Sequence, residues 1–323
     1  MPMIEADGLA RTFQAAHATV DAVRGLSFQV ATGEIVGFLG PNGAGKTTTL
    51  RMLTTLLRPT SGRAVVAGHD LVRGAAQVRR NTGYVAQSGG TDGTSLVLEE
   101  LVLQARLYRF SRAEATRRAG LLVRQLDLTG LERRQIRTLS GGQRRRLDLA
   151  LGLVHEPRLL FLDEPTVGLD PQSRANLWDH VRRLRDDLAT TVFLTTHYLD
   201  EADALCDRLL VIDDGRIVAD GSPEELKRRV GGDVVTVSVD GDAERAAKLL
   251  AAEPGIGDLT VTGRTLRLAL DTAGEQALLP LLRVLDAAGI AALSVQISRP
   301  TLDDVFLGLT GRSLREPTPD APR

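Results

Sequence analysis

Nine consecutive residues, Gly40, Pro41, Asn42, Gly43, Ala44, Gly45, Lys46, Thr47 and Thr48, place three glycines ahead of one lysine and two hydroxyls. They fit G-x-x-x-x-G-K-[ST] and lie between a β-rich run, IVGFL at 35–39, and an apolar helical pattern, TLRMLTTLL. Glycines at this spacing let the backbone wrap so that successive N–H groups point at phosphate oxygens, and the helix N-terminus adds its dipole. Lys46 supplies a point cation and the Thr47 hydroxyl a ligand for Mg²⁺. The chemistry is the binding of a polyphosphate.

A phosphate site of this kind needs a carboxylate strand, and LLFLDEP at 159–165 provides one ending in Asp163 and Glu164. Asp163 is expected to hold Mg²⁺, and Glu164 to orient, or take a proton from, the water that attacks a γ-phosphate. A second anion site is expected at Ser140, Gly141, Gly142 and Gln143, where a hydroxyl and flexible amides open the helix RRRLDLALGL.

The elements that must carry these groups follow from the patterning. From Met3 to about Arg229, the runs IVGFL, TGYVA (82–86), LLFLD (159–163) and TVFLT (191–195) alternate with helical segments at about 46–57, 97–108, 111–126, 141–154, 171–187 and 198–205. Alternation of this kind predicts an α/β domain with a largely parallel sheet. Residues 3–13 and 20–30 read as two strands of an antiparallel flap. After Gly231-Gly232 the order becomes β-α-β-β-α-β, which predicts a small ferredoxin-like α+β unit at 233–310 joined by a glycine linker. The Pro-rich stretch 311–323 is expected to be disordered.

Composition bounds the function. Hydrophobic residues make up 43%, charged residues 25% and aromatics 3%, values that fit neither a disordered nor a membrane-spanning chain. Forty basic residues nearly cancel 41 acidic ones, so no broad nucleic-acid surface is expected. Cys206 is the single cysteine and excludes an internal disulfide or multi-cysteine metal site. The first residues, MPMIEADGLA, lack the basic and apolar segments of a secretion signal.

A P-loop, LSGGQ and LLFLDEP in this order resemble the nucleotide-binding subunit of an ABC transporter, over residues 3–230. The resemblance implies a P-loop NTPase of ABC ATPase type over 1–230, with parallel-sheet core, antiparallel β flap and a helical subdomain at about 88–155, and implies ATP and Mg²⁺ as ligands. It further implies that Phe13 stacks on adenine, that Gln87 touches the metal or the attacking water, that Asp170 communicates across a dimer, and that His197 bridges γ-phosphate and Glu164. Because the family sets the signature of one subunit over the P-loop nucleotide of the other, the resemblance implies a homodimer sandwiching two ATP molecules.

Within that family, RRRLDLALGL, LDPQSR and SRPTLDDVFLGLTG are most similar to the daunorubicin/doxorubicin resistance type of drug exporter. This implies an ATPase at the cytoplasmic face of the membrane, paired with a separately encoded transmembrane permease that exports a drug, antibiotic or other lipophilic compound. The docking groove is expected near Leu96, Leu98 and Leu101. Ala86 stands where the family often has proline and Glu100 where it often has asparagine, which bears on the partner more than on catalysis. The competing expectation is an ABC ATPase acting on ribosomes or DNA; a single cassette, and a stretch from Lys46 to Ser140 too short for a long coiled coil, argue against it.

Simpler assignments serve elsewhere. Arg144, Arg145 and Arg146 read as a solvated helix face, Trp178 and Tyr198 as helix packing, Cys206 as a small core residue, and His17, His69, His155 and His180 as surface or satisfied polar groups.

Overall fold

The computed structural model describes residues 2–15, 18–229, 233–270 and 274–311. Internal contacts divide the chain into two compact units, Met1–Asp220 and Gly221–Arg323. The expected Gly231-Gly232 linker, His17 and the tail beyond Gly311 lie outside the described residues.

In the first unit, β1 (Ile4–Ala15) and β2 (Ala18–Val30) form a long antiparallel hairpin with Ile4 opposite Val30 and Phe13 opposite Val20. Strand β3 (Ile35–Leu39) then enters the central sheet and α1 (Lys46–Leu53) leaves the P-loop. β4 (Ser61–Val66) returns to pair with β1, and β5 (His69–Asp70) pairs with β4. The flap therefore has four strands, in the order β2-β1-β4-β5, where the sequence pattern predicts two. The added partner is non-local, Val66 against Ile4, and no short-range pattern marks it.

After α2 (Ala75–Asn81) and β6 (Thr82–Val85) comes a helical segment: α3 (Val97–Leu107), α4 (Arg112–Gln125), a 3₁₀ turn at Ile136–Thr138 and α5 (Gly141–Leu153). β7 (Leu159–Asp163), α6 (Pro171–Leu188), β8 (Thr191–Thr196), α7 (Leu199–Leu205), β9 (Arg208–Asp213) and β10 (Arg216–Gly221) complete the sheet, ordered β10-β9-β3-β8-β7-β6. From β9 to β6 the pairing is parallel. β3, β7 and β8 are buried at every position, which is why they read as unbroken apolar runs. Asp214 and Gly215, both at positive φ, make the two-residue turn from β9 to β10.

The flap and central sheet share one core. Phe28 of β2 meets Phe38 of β3 and Phe193 of β8 with ring centroids 6.3 and 6.0 Å apart, and Phe161 of β7 meets Phe193 edge-on at 5.9 Å. This packing holds the C-terminal ends of β3, β7 and β8 in fixed relation, and the chemistry-bearing residues follow those ends.

The second unit contains α8 (Pro223–Arg229), β11 (Val234–Asp240), α9 (Ala243–Leu250), β12 (Ile256–Thr262), β13 (Thr265–Leu270), α10 (Gly274–Ala287), β14 (Ala291–Ser298) and α11 (Leu302–Thr310). Its antiparallel sheet runs β12-β13-β11-β14, the ferredoxin-like order. Val235, Val237 and Val239 alternate into a core with Leu266, Leu268 and Leu270, and Leu281 and Leu285 of α10 cover them. Asp304 caps α11 with Thr301 and accepts two bonds from Arg267, 2.8 Å from Nε and 2.7 Å from Nη2.

Candidate functional site

The P-loop fills the turn from β3 to α1, and its geometry requires glycine. A Cβ on Gly40 would lie 2.2 Å from the Ile212 carbonyl oxygen, and one on Gly45 would lie 2.4 Å from that of Ala22. Gly43 and Gly45 stand at φ 84° and 103°, conformations that curl the loop around a hollow. Lys46 is buried at its rim and donates from Nζ to the carbonyls of Gly40 (2.8 Å) and Pro41 (3.0 Å). Burial lowers the Lys46 pKa, and the neighbouring Glu164 carboxylate opposes that shift.

The ends of β7 and β8 supply the carboxylates and their holders. Asp163 Oδ1 accepts from the Thr47 hydroxyl at 3.2 Å and from the Thr195 hydroxyl at 2.7 Å. Glu164 leaves the strand at φ +43°, a left-handed conformation costly for a side chain with a Cβ. Its N–H bonds the Thr195 carbonyl (3.1 Å) and hydroxyl (3.0 Å), which hold it there.

Three groups converge on the Glu164 carboxylate. Gln87 Nε2 donates to Oε2 at 3.0 Å, while Lys46 Nζ and His197 Nδ1 stand 3.4 and 3.2 Å from Oε1. Contact with His197 holds this carboxyl below the usual glutamate range; burial opposes the effect and Lys46 adds to it. Glu164 is thus a nearly buried carboxylate with one hydrogen-bond donor, Gln87, and two further nitrogens within 3.4 Å.

These residues line one cleft of about 470 Å³, with Asn42, Gly43, Gly45, Lys46, Thr47 and Thr48 along one wall and Gln87, Glu164 and His197 along the other. Gly40, Pro41 and Ala44 shape the loop from behind, and Asp163 sits one bond behind Thr47. A hydroxyl and a carboxylate at 3.2 Å suit Mg²⁺, which takes few protein ligands and completes its shell with phosphate and water oxygens. Among the described residues no group of three or more His, Cys, Asp or Glu is placed to hold a metal ion.

The remaining expected residues gather elsewhere. Ser140 caps α5: its Oγ accepts from Gln143 N at 3.2 Å, and Gln143 Oε1 accepts from Ser140 N at 3.0 Å. Gly142 lies against Ser173, where a Cβ would meet Oγ at 2.6 Å, and Asp170 caps α6 by accepting from Ser173 N and Oγ at 2.9 and 2.7 Å. Signature and Asp170 thus form a second cluster, and neither contributes to the lining of the cleft. Phe13 is also absent from that lining; its ring is 38% exposed and carries the Arg11 guanidinium 4.7 Å from its centroid.

The sequence pattern does not single out Thr195 and assigns Tyr198 to helix packing, which the structure corrects. Thr195 bonds both Asp163 and Glu164, and its one signal is its place two residues before His197. Tyr198 lines the cleft, with its ring 4.2 Å from that of His197 and Arg174 over its face at 4.7 Å. The arginine run is corrected: Arg145 is 7% exposed and bonds main-chain carbonyls, and Arg146 reaches Asn176 Oδ1 at 3.1 Å. Leu101 is buried, so it offers no docking surface. Leu103 and Leu107 of the same helix are exposed, the latter at 71%, as is Leu56, which with Gln104, Tyr108 and His155 lines a cleft of about 190 Å³.

Comparison with known proteins accords with this geometry. Residues 23–167 match the ABC transporter family model, and residues 221–310 match that of the ATP-binding protein DrrA1-3-like, C-terminal domain. The chain is 47% identical to the daunorubicin resistance ATP-binding protein DrrA3 of Streptomyces coeruleorubidus, covering 91% of this chain and 92% of that one. It is 36% identical to the linearmycin resistance ATP-binding protein LnrL of Bacillus subtilis, covering 95% and 99%. Among solved structures, cbiO1 of Clostridium perfringens, part of the ABC transporter complex cbiONQ, superposes with a TM-score of 0.63 at 27% identity over 71% of this chain and 94% of that one. The post-hydrolysis dimer of the cassette MJ0796 bound to ADP and Pi shares the fold, with a TM-score of 0.63 at 23% identity over 68% and 98%.

Proposed function

The chain belongs to the ABC transporter family of ATP-binding proteins, and we propose that it hydrolyses ATP in the cleft between the P-loop and Glu164 to drive export of a drug, antibiotic or other lipophilic compound. The observation that carries this is the convergence of Lys46, Gln87 and His197 on one strained carboxylate, in a chain matched along both units by resistance ATP-binding proteins.

The chain's own groups divide the work. P-loop N–H groups and Lys46 bind the phosphates and draw charge from the γ-phosphoryl as it transfers. Thr47 and Asp163 would hold Mg²⁺, which when bound would supply charge neutralisation for the phosphates. Glu164 accepts a proton from the attacking water while the water oxygen bonds to the γ-phosphorus. The bond to the bridging oxygen breaks and ADP leaves with its electron pair. Gln87 and His197 keep the carboxylate aimed.

Ser140, Gly141, Gly142 and Gln143 complete the site of a second copy. Their absence from the chain's own cleft lining supports a head-to-tail homodimer with two ATP molecules between the P-loop and this LSGGQ signature, with Asp170 and Ser173 beside it. Phe13, exposed on the flap, is the stacking partner proposed for adenine.

Among the described residues no helix is long and apolar enough to cross a membrane. The reading adds a separate transmembrane permease, with this chain peripheral at its cytoplasmic face. Leu103, Leu107 and the neighbouring cleft are the proposed seat for a helix of that permease. Affinity capture of Glu164→Gln from native membranes with Mg-ATP, followed by mass spectrometry, tests the whole. Recovery of a polytopic membrane protein, lost with Leu107→Glu, is the expected result; ribosomal or DNA-repair proteins in its place would overturn the export reading.

A further inference from the structure

Arg145 opens the second turn of α5, the helix capped by Ser140, yet its side chain leaves that helix and enters the core of the site. Nε donates to the Pro165 carbonyl at 2.7 Å, Nη1 to the Ala86 carbonyl at 2.6 Å and Nη2 to the Asp163 carbonyl at 3.1 Å. Asp148 on the same helix stands 4.0 Å away and leaves the fork free to serve main-chain oxygens. The guanidinium is planar and rigid, so these bonds set one segment relative to the other, as a flexible ammonium could not. One segment carries Gln87, the residue after Ala86. The other carries Glu164, between Asp163 and Pro165.

We propose that Arg145 is a positioning residue for hydrolysis, holding the carbonyls on either side of Glu164 and the one before Gln87 so that the two side chains meet. It touches no reacting atom and acts through these two. Because it stands on the helix that begins at the signature, it also joins a chain's own hydrolytic carboxylate to the surface that faces its partner's nucleotide. The inference rests on the ATPase reading above and names a further part of the same site.

Steady-state ATPase kinetics of the full chain test it, with wild type, Glu164→Gln, Arg145→Lys and Arg145→Met assayed together and ATP affinity read by fluorescent-nucleotide titration. Lysine keeps the charge and most of the volume but lacks the fork. For Arg145→Lys kcat is expected to fall about tenfold or more, with KM and ATP affinity within about twofold, because misplacement of a reacting group is felt in the transition state and not in binding. Where Arg145→Met does not fold, Arg145→Lys carries the test alone. A kcat within about twofold of wild type for Arg145→Lys overturns the inference. So does loss of ATP affinity in step with kcat, the mark of a merely structural residue. Absence of hydrolysis in the wild type itself would instead defeat the ATPase reading.

Discussion

Gln87 and Glu164 are joined by a hydrogen bond, Nε2 to Oε2 at 3.0 Å, although each follows a different strand of the parallel sheet. β6 and β7 lie side by side in register, Val85 against Leu162, so the residues just beyond their C-terminal ends come together. Ligand sites of open α/β sheets form at these ends, and here the contact ties the segment after β6 to the Glu164 carboxylate. Movement of Gln87 with a docked partner would therefore reach Glu164 directly.

Replacing the proposed base by its amide keeps its shape and one acceptor oxygen and so isolates its role. Glu164→Gln is expected to bind ATP with affinity within about threefold of wild type and lose about 10²–10⁴-fold in kcat, the usual worth of a positioned general base. The trapped complex should be a dimer, checked by light scattering at saturating Mg-ATP. A monomer there would contradict the sandwich.

Assembly of each site from two chains predicts complementation. Ser140→Arg and Lys46→Ala are each expected to be inactive, yet an equimolar mixture should recover about a quarter of wild-type hydrolysis, since half of the dimers are mixed and each holds one intact site. Mixtures that stay inactive would place the signature on its own chain's nucleotide. Ser140→Arg also removes the cap of α5, so its own ATP binding is measured as a control.

Glu201 of α7 is fully buried, with Trp178 Nε1 donating to its Oε1 at 3.2 Å, and burial pushes its carboxyl above the ordinary value of 4.5. In the window between that value and the raised one the folded chain holds a proton that the unfolded chain has lost, so stability falls as pH rises and stays lower above the window. Glu201→Gln, which never ionises, should lack this fall. The expected result is that its urea midpoint gains on wild type between acid and alkaline pH; parallel curves would show that Glu201 does not titrate in this way.

Gly40→Ala forces a Cβ to within 2.2 Å of the Ile212 carbonyl oxygen, a backbone atom that cannot swing aside. Strain of this kind costs about 1–3 kcal/mol, and relief by moving the loop displaces both carbonyls that hold Lys46. Lower thermal stability with ATP affinity reduced at least about tenfold is expected, read by calorimetry and nucleotide titration.

Asp304→Ala removes the acceptor for Arg267 and for the Thr301 N–H at 2.7 Å. Because Arg267 is partly exposed, the ion pair counts for little and the lost cap for more, about 1 kcal/mol in the second unit. Hydrogen exchange across α11 should quicken accordingly.

The parts of this protein legible from its residues alone are those whose signal is local. The P-loop, the strand ending in Asp163 and Glu164 and the helix after Ser140 could be located because a positive-φ glycine, an apolar run covered on both faces and a capping box each leave their mark within a few residues. The β-α-β-β-α-β order of the second unit was legible for the same reason. Which of these parts meet depends on contacts between segments far apart in the chain. β4 joined the flap through Val66 and Ile4, and no short-range pattern encodes such a pairing. Of the leucines expected near the docking groove, Leu96, Leu98 and Leu101, the last is buried while Leu103 and Leu107 are exposed, because which side of α3 faces the core depends on what packs against it. Arg145 shows the limit most clearly. An arginine in a basic run reads as solvated, since burying a charge is costly; the fold offered it carbonyls from two distant segments, and those partners exist only once β6 and β7 lie side by side.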